Sequence, residues 1–308
     1  MKDLRQSRNW ANYMKELGWE AVLVDGVYVY IKKIGFVSVI KIHRANTIST
    51  QLLKKIDSLA KENKALFIKI ELNEPEKSMV FSKTAEKEIA LLKRHGYVIN
   101  FFPLLTPSTI VVDLTKNEQD LFKALKEDAR YSVKKAQKSG IKCSFKRFPT
   151  IEEMKMYQEF FERAGKERHL LVPTLNSLRK RLKAFGKKAI FVETKNLKNE
   201  ILSAGVILIF QNTGYYSELG TLQEGRKLLA NYLQLWEIIK FLKSEGLKNF
   251  DMDGIADERF PQFTKTWAGF SFFKKKFGGE VYRYPFPYIK YGNIIFKLLG
   301  RLGQPLPI

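Results

Sequence analysis

The sequence predicts an α/β protein made of two related domains, each with a mixed β-sheet flanked by helices. The chain has 308 residues, 45 % of them apolar, which is enough for two hydrophobic cores. Apolar runs with the period of a strand alternate with runs that have the period of a helix. One order of elements also occurs twice: helix, strand ending in an acidic residue, helix, glycine, strand. This repetition favours two domains over one large one.

The first domain is predicted to span residues 1–107 together with residues 288–308. Its expected strands are Ala21–Val24, Tyr28–Lys33, Phe36–His43, Leu66–Leu72 and an extended segment Tyr97–Phe102, and its expected helices are Ser49–Asn63 and Ala85–His95. A last helix is expected near Ile289–Leu302, with basic residues on one side and aliphatic residues on the other. Such a helix suits docking on the domain or lying on a membrane surface.

The second domain is predicted to span residues 108–287. Its expected strands are Thr109–Asp113, Ala189–Glu193, Ile201–Phe210, Tyr215–Leu219, Phe250–Asp253 and Glu280–Tyr284, and its expected helices are Glu118–Ser139, Ile151–Lys166, Leu175–Phe185, Glu224–Glu245 and Phe270–Phe277.

The net charge of +22 favours a polyanionic partner such as RNA, a phosphorylated metabolite or an anionic membrane surface. A generally basic proteome is the alternative explanation. The three histidines, His43, His95 and His169, are scattered, and Cys143 is the lone cysteine. No zinc site of usual spacing, internal disulfide or Ser/His/Asp triad is expected from them. We therefore expect no metal and no cofactor.

The longest apolar run, near Ile201–Phe210, is about half the length that a membrane-spanning helix needs. The N-terminal residues lack the apolar segment of a signal peptide. We expect a cytoplasmic protein, with peripheral contact at the inner face of the membrane as a further possibility. We also expect a monomer.

A stripe of basic residues is predicted on the long helix Glu118–Ser139. Arg130, Lys134 and Lys138 follow one another at intervals of four, so they share one face and could grip the phosphates of a tRNA. Basic residues late in a helix also suit the helix dipole, so the stripe alone leaves both explanations open.

The stretch FSFFKKKFGGEV, residues 270–281, places a lysine among phenylalanines. On a helix, Phe270, Phe273 and Phe277 share one face, and Lys274 falls among them. A lysine there is costly unless its ammonium reaches water or has a partner. A packed stem with an exposed ammonium and a functional ammonium are both consistent with this pattern.

Three acidic residues, Glu71, Asp251 and Asp253, end predicted strands. A carboxylate there can act as a base or hold an amine, although turn chemistry also explains Asp253 before Gly254. The segment GTLQEGRKLL lacks the glycine-rich pattern that acyl-CoA N-acetyltransferases use to hold pyrophosphate. This argues against coenzyme A as the donor.

Five stretches in order resemble the FemABX family of peptidoglycan-bridge aminoacyltransferases, closest to members without a helical arm. They are QSRNWANYMKELGW, PSTIVVDL, ARYSVKKAQKSGI, LLANYLQLWEIIKFLKSEGLKNFDMDGI and FFKKKFGGEV. The resemblance covers nearly the whole chain. It implies two tandem acetyltransferase-like (GNAT) domains and transfer of an amino acid from aminoacyl-tRNA to an amine on the stem peptide of a peptidoglycan precursor.

The resemblance also assigns roles to residues. Phe273 and Lys274 match the family motif beside the reacting ester, where the ammonium stabilises the oxyanion. Lys15 matches a lysine that helps hold the precursor's phosphates. Glu71 stands where relatives carry an aspartate near the acceptor amine, and is expected to act as a base or to hold the amine.

Two departures bear on the acceptor. The family's Arg-Pro-x-x-Tyr is replaced by residues 172–176, VPTLN, which removes a bidentate phosphate contact. Glu218 stands where a tyrosine is expected, with Tyr215 and Tyr216 just upstream. Tyr216, Glu218 and Asp253 are further candidates for substrate binding. We therefore expect a lipid-linked precursor rather than the soluble uridine-diphosphate form.

Two alternatives stay open. One is an N-acyltransferase of the same fold that uses another acyl donor. The other is a non-catalytic protein that binds tRNA.

Overall fold

The computed structural model describes residues 2–77, 82–168 and 174–292. The chain divides into two compact units. Unit 1 comprises Met1–Ser108, Ala256–Thr266 and Tyr282–Ile308, and unit 2 comprises Thr109–Ile255 and Trp267–Val281. Residues 256–266 and 282–287, which the sequence pattern assigned to the second domain, therefore belong to unit 1.

The helices and strands follow one another along the chain as α1 (Arg8–Glu16), β1 (Glu20–Val24), β2 (Val27–Ile34), β3 (Val37–Ala45), α2 (Thr50–Glu62), β4 (Ala65–Leu72), α3 (Lys83–Arg94), β5 (Val98–Ile99), β6 (Ser108–Asp113), α4 (Glu118–Ala124), α5 (Glu127–Lys138), β7 (Lys142–Lys146), α6 (Ile151–Arg168), α7 (Leu175–Phe185), β8 (Ala189–Lys195), β9 (Ile201–Phe210), β10 (Thr213–Thr221), α8 (Gln223–Lys227), α9 (Ala230–Ser244), β11 (Asn249–Gly254), α10 (Pro261–Thr264), α11 (Ala268–Lys275), β12 (Glu280–Arg283) and β13 (Tyr288–Tyr291).

Unit 1 is built on a six-stranded sheet with the order β1-β2-β3-β4-β13-β5. Only β3 and β4 pair in parallel, and α2 connects them. Alternate residues of these strands, including Ile42 and Ile70, form one core with Leu53 of α2 and Leu92 of α3. On the opposite face, Tyr30 of β2 packs with residues of α1. The alternation of side chains along each strand thus gives the sheet two different faces.

Unit 2 contains most of a seven-stranded sheet with the order β12-β6-β11-β10-β9-β8-β7. Here β10 and β11 are a parallel pair, and α8 and α9 lie between them in sequence. Apolar residues of α5 and α9, such as Val133 and Ile239, pack on one face of this sheet. On the other face, Tyr157 of α6 stacks on Phe191 of β8, with ring centroids 4.8 Å apart.

The two sheets confirm the repeat predicted from the sequence. In each unit a strand, a helical connection and a parallel strand follow in order, as β3-α2-β4 and as β10-α8-α9-β11. The acidic residues Glu71 and Asp253 lie on the second strand of the two pairs.

The prediction of one helix over Glu118–Ser139 is wrong, because the chain breaks between α4 and α5. Leu125 and Lys126 are extended, and Lys126 donates its backbone N–H to the carbonyl of Lys276 at 2.8 Å. The long helix Glu224–Glu245 is also two helices, since Leu229 adopts a left-handed conformation with φ of 60°. At the first break, the hydrogen bond to Lys276 overrides a continuous helical pattern.

The predicted C-terminal helix is wrong in its first turn. Tyr288–Tyr291 forms β13, which pairs antiparallel with both β4 and β5. A strand suits these residues because Tyr288 packs into the α2 core while Ile289 lies on the other face with Phe67. The rest of the predicted helix, residues 293–302, lies outside the described residues. Within the described residues no helix is both long and apolar enough to cross a membrane.

Candidate active site

Lys274 lies in the last turn of α11 with 7 % of its surface exposed. The helix ends at Lys275, with Lys276 as its C-cap, and the chain then turns through Gly278 and Gly279, whose φ angles are 74° and 84°. Gly279 also passes so close to β6 that a Cβ would lie 2.7 Å from the carbonyl oxygen of Val111. The two glycines therefore permit a tight turn directly after α11 and a close approach to β6, which holds the last turn of α11, with Lys274, in unit 2.

The Lys274 ammonium is held by backbone carbonyls. Its Nζ donates to the Gly254 oxygen at 2.8 Å and to the Asp253 oxygen at 3.4 Å, and it lies 5.0 Å from the ring centroid of Phe270. These carbonyls are available because the pairing of β11 with β6 is irregular between Asp251 and Gly254. An ammonium has three N–H donors, so this arrangement leaves one of them for a further acceptor.

Burial lowers the pKa of Lys274 to about 8, while the carboxylates of Asp253 and Asp251 oppose that shift. Asp251 is buried and accepts hydrogen bonds from the Thr109 hydroxyl and from the backbone N–H of Asp253. Asp253 is half-buried in a left-handed conformation with φ of 57°. The two acids thus shape the turn that holds Lys274 and help to keep its ammonium protonated.

Phe273 is half-buried beside Lys274. Its ring packs edge-on against Tyr232 and Phe277, with centroid distances of 5.0 and 5.3 Å. Phe277 is fully buried, which anchors this aromatic group in the core of unit 2. The structure thus brings together Lys274, Phe273 and Asp253 among the predicted residues.

Glu71 belongs to unit 1, at the end of β4, with 2 % of its surface exposed. Its Oε1 accepts hydrogen bonds from the backbone N–H groups of Leu104 and Leu105, at 2.6 and 3.2 Å. Its Oε2 is buried, makes no hydrogen bond within the described residues and lies 3.9 Å from Nη1 of Arg44. One carboxylate oxygen is therefore fixed, and the other keeps its hydrogen-bonding capacity.

Lys15 is exposed near the end of α1, also in unit 1. The helix begins at Ser7, whose hydroxyl accepts a hydrogen bond from the backbone N–H of Trp10 at 3.0 Å. Gln6 fixes the start of this segment by bonding the backbone of Tyr28 and His43. Lys15 therefore stands on a helix with a well-anchored first turn.

Tyr216 and Glu218 lie on β10 but differ in surroundings. Tyr216 is buried, donates its hydroxyl to Gln234 at 3.0 Å and packs against Phe250, and burial raises the pKa of its phenol. Glu218 is half-buried and forms an ion pair with Arg181 of α7. Tyr216 therefore serves the core of unit 2, and Glu218 is already neutralised by an arginine.

The predicted basic stripe lies on α5, where Lys134 and Lys138 are exposed. Arg130 differs, since its Nη1 donates to the carbonyl oxygens of Lys123, at 3.0 Å, and Leu125, which close the end of α4. Arg130 therefore caps a helix, while the two lysines are exposed, with the Lys134 ammonium 5.7 Å from the ring centroid of Phe122.

Arg44, which the sequence pattern did not single out, is 2 % exposed. Its guanidinium lies 3.3 Å from the ring centroid of Tyr284, and its Nη2 donates to the carbonyl of Thr106 at 2.6 Å. Its backbone is left-handed, with φ of 47°. The sequence feature that could have indicated Arg44 is a charged residue at the end of an otherwise apolar strand.

In the described part of the chain, no cluster of three or more histidine, cysteine, aspartate or glutamate side chains could hold a metal ion.

The family model for the FemAB family matches residues 1–195 of the chain. The chain belongs to the FemAB family. The resemblance noted from the sequence is therefore confirmed. No curated protein matches the sequence significantly.

Solved structures agree with the fold of a FemAB protein. A crystal structure of FemX is 18 % identical in sequence, covers 96 % of this chain and 94 % of its own, and has a TM-score of 0.78. The structure of L-PGS from Bacillus licheniformis is 15 % identical, with coverages of 94 % and 91 % and a TM-score of 0.61. A tandem GNAT protein from the clavulanic acid biosynthesis pathway is 8 % identical, with coverages of 87 % and 79 % and a TM-score of 0.53.

These matches confirm the predicted fold class, two tandem acetyltransferase-like domains with mixed sheets. Membership of the FemAB family and the shared fold support an acyltransferase of the aminoacyltransferase class.

Proposed function

We propose that this FemAB protein transfers an amino acid from aminoacyl-tRNA to an amine on the stem peptide of a peptidoglycan precursor, which begins a side bridge. The observation that carries the proposal is the Lys274 ammonium, which is buried and held by neutral carbonyls, with one N–H left for a ligand. The FemAB family match supports the same reaction class.

The proposed reaction is direct aminolysis of the tRNA ester. The acceptor amine attacks the ester carbonyl carbon, a C–N bond forms, and the C–O bond to the tRNA hydroxyl breaks. The proton released by the amine balances the one that the tRNA alkoxide gains. An enzyme thioester is not part of the proposal, since burial raises the pKa of Cys143, the lone cysteine, to about 12.

We assign to Lys274 the stabilisation of the oxyanion. Attack on the ester creates a negative charge on the carbonyl oxygen, and a fixed ammonium beside it stabilises that charge more than it stabilises the neutral ester. The contribution of one such donor is about 3–4 kcal/mol. The Phe270 ring, whose centroid lies 5.0 Å from Nζ, shields one side of the ammonium from water, which strengthens the interaction. Phe273 is proposed to pack against the reacting ester beside it.

We assign to Glu71 contact with the acceptor amine. The two amides on Oε1 fix the carboxylate, and Oε2 can accept a hydrogen bond from an ammonium or take its proton. Holding the ammonium and taking its proton both require contact between Glu71 and the acceptor amine. The alternative is that the amine loses its proton directly to water, and the kinetics of a Glu71 variant separate these cases.

Lys134 and Lys138 are proposed to contact the tRNA backbone, aided by the net charge of +22. Lys15 is proposed to contact the precursor's phosphates. We propose a lipid-linked precursor over a soluble one, because the arginine of the family's phosphate-binding motif is replaced at residues 172–176. Of that segment, residues 174–176 are described, and Thr174 caps α7. The site of action is then the cytoplasmic face of the membrane.

The experiment is transfer of radiolabelled amino acids from a charged total-tRNA pool to purified lipid-linked and uridine-diphosphate-linked precursors. A parallel reaction supplies radiolabelled acyl-CoA instead of tRNA. Label in the lipid-linked precursor supports the proposal in full, and label in the soluble precursor alone supports the reaction but not the preferred acceptor. Acylation from acyl-CoA alone, or tRNA binding without transfer, would replace the proposal by one of its two alternatives.

A further inference from the structure

Two lysines occupy the middle of the unit 1 sheet, on the face away from α2 and α3. Lys41 of β3 and Lys69 of β4 are direct partners in the parallel register of these strands. Their sequence neighbours, such as Ile40 and Ile68, point into the α2 core, so the two lysines share the opposite face. The same tripeptide, Ile-Lys-Ile, occurs in both strands.

The surroundings of these lysines are largely apolar and aromatic. Tyr30 is the partner of Lys41 on β2, and Ile289 is the partner of Lys69 on β13. The Lys41 ammonium lies 5.0 Å from the ring centroid of Trp19. Lys69 is 8 % exposed. Both side chains are thus packed along an apolar and aromatic surface.

Keeping both amines charged is unfavourable. Burial lowers the pKa of Lys69 to about 8, and the nearby charge of Lys41 lowers it as well, while the Glu71 carboxylate opposes the shift. Burial lowers the pKa of Lys41 in the same way. Two neighbouring cations on a buried face destabilise the fold unless an anion joins them.

Glu71 supplies a nearby negative charge to both lysines, but it forms no ion pair with either of them within the described residues. Neither amine forms a hydrogen bond or an ion pair with the described residues, and the Oε1 atom of Glu71 is taken by two backbone amides. Lys32, which lies on the same face of β2, shows the contrast. Its amine donates to the carbonyls of Leu17 and Gly18 at 3.0 and 2.9 Å, as expected of a lysine with a structural role.

We propose that Lys41 and Lys69 form a binding site for an anionic group, carboxylate or phosphate, of the acceptor substrate. Two ammonium groups on adjacent strands match the charge and hydrogen-bonding needs of either oxyanion. Glu71 follows Lys69 by two residues on the same face of β4, so an acceptor bound at the two lysines lies beside the carboxylate proposed to hold its amine. The identity of the acceptor rests on the proposed function, whereas the anion site rests on the two lysines.

The test is isothermal titration calorimetry of the full chain at pH 7 with three probes: a synthetic stem pentapeptide with free carboxylates, the same peptide with its carboxylates amidated, and inorganic pyrophosphate. For a carboxylate site, Lys69→Met and Lys41→Met each raise the Kd of the free peptide by about tenfold or more, and the amidated peptide binds wild type as weakly as it binds the variants. For a phosphate site, the same loss is seen with pyrophosphate instead. Exposed Lys33 supplies the control Lys33→Met, for which no change is expected.

Thermal unfolding provides a second readout that a structural lysine would not show. Lys69→Met is expected to raise Tm, because it removes one of two like charges from a largely apolar face, whereas Lys32→Met is expected to lower Tm without changing any Kd. Lys41→Met serves if Lys69→Met does not fold. The inference is overturned if wild type binds neither the free peptide nor pyrophosphate, or if both lysine variants bind them as wild type does. Because no tRNA is present in the titration, failure of the transfer reaction would leave this result intact.

Discussion

Lys274 and Lys69 are both buried lysines whose pKa is lowered to about 8, yet the fold treats their amines differently. Lys274 has two carbonyl oxygens as hydrogen-bond partners, whereas Lys69 has no hydrogen-bond partner among the described residues. An ammonium already fixed by carbonyl oxygens suits stabilisation of a negative charge that forms only during the reaction. An ammonium without a hydrogen-bond partner suits binding of a ligand that already carries a negative charge. The two sites therefore make separate predictions.

The first prediction concerns pH. The oxyanion role needs the Lys274 ammonium, which is protonated below its pKa of about 8 and neutral above it. The single-turnover transfer rate at saturating acceptor, divided by the fraction of acceptor amine that is deprotonated, is therefore expected to fall as pH rises through about 8. The measurement subtracts the spontaneous hydrolysis of the tRNA ester in the same buffers. A normalised rate that stays constant or increases to about pH 9.5 would exclude Lys274 as the charged catalyst.

The second prediction concerns Glu71→Gln. Glutamine keeps the oxygen that accepts from Leu104 and Leu105, so the fold should be retained. If Glu71 takes the proton of the amine, kcat falls by about 10²–10⁴, and if it only holds the ammonium, the main effect is a higher KM. Steady-state transfer kinetics with the acceptor varied separates these results. Unchanged kcat and KM would remove Glu71 from the mechanism.

At the scale of elements, the break between α4 and α5 decides which basic residues are available to RNA. Arg130 bonds the carbonyls at the end of α4, while Lys134 and Lys138 on the same face of α5 are exposed. The sequence spacing treated the three residues as equivalent, and the structure gives one of them a capping role.

The third prediction follows from that difference. Arg130→Ala should lower the free energy of unfolding by about 1 kcal/mol, because it leaves the carbonyls of α4 without their cap, whereas Lys134→Ala should change it by less than about 0.5 kcal/mol. Urea denaturation of both variants measures these values. Equal stability of the two variants would show that the Arg130 hydrogen bonds contribute nothing.

The fourth prediction concerns the close approach of α8 to β9. A Cβ on Gly225 would lie 2.3 Å from the backbone oxygen of Leu202, so only glycine fits there. Gly225→Ala should lower the free energy of unfolding by about 1–3 kcal/mol, although alanine favours helices elsewhere. Lys227→Ala, at an exposed position of the same helix, is the control for urea denaturation. Wild-type stability of Gly225→Ala would contradict the packing described.

Most strands and helices could be predicted because their apolar period matches one buried face. The segment Tyr288–Tyr291 could not, since its partners β4 and β5 come from the first hundred residues and nothing local marks the pairing. The break at Leu229 had no glycine or proline to signal it. Lys274 stood out because a lysine among phenylalanines is unusual, whereas Lys41 and Lys69 are polar residues in strands, where alternation normally indicates exposure.

At the scale of the whole molecule, the excess of basic residues has a measurable consequence. With a net charge of +22, tRNA binding should weaken steeply as salt increases, because each phosphate contact releases counterions. The repeated domain plan places acids on corresponding strands, but the surroundings of Glu71 and Asp253 differ, which is why the repeat alone does not assign their roles.

The fifth prediction tests the tRNA surface. Replacing both Lys134 and Lys138 by alanine should reduce the slope of log Kd against log salt by about 2, since each phosphate contact contributes about 1. Fluorescence anisotropy with labelled tRNA measures the slope. Lys54→Ala, at an exposed position of α2, serves as the control and should leave the slope nearly unchanged. A wild-type slope in the double variant would place the tRNA elsewhere.

The most direct test of the central claim is the single-turnover transfer rate of Lys274→Met, compared with Lys275→Met at the exposed neighbouring position. Methionine keeps the length of the side chain and removes its charge. The oxyanion role predicts a fall of about 10²–10³ in rate for Lys274→Met, with Tm and tRNA affinity showing a folded, binding-competent protein, and little change for Lys275→Met. A Lys274→Met rate within about twofold of wild type would contradict the role assigned to the buried ammonium.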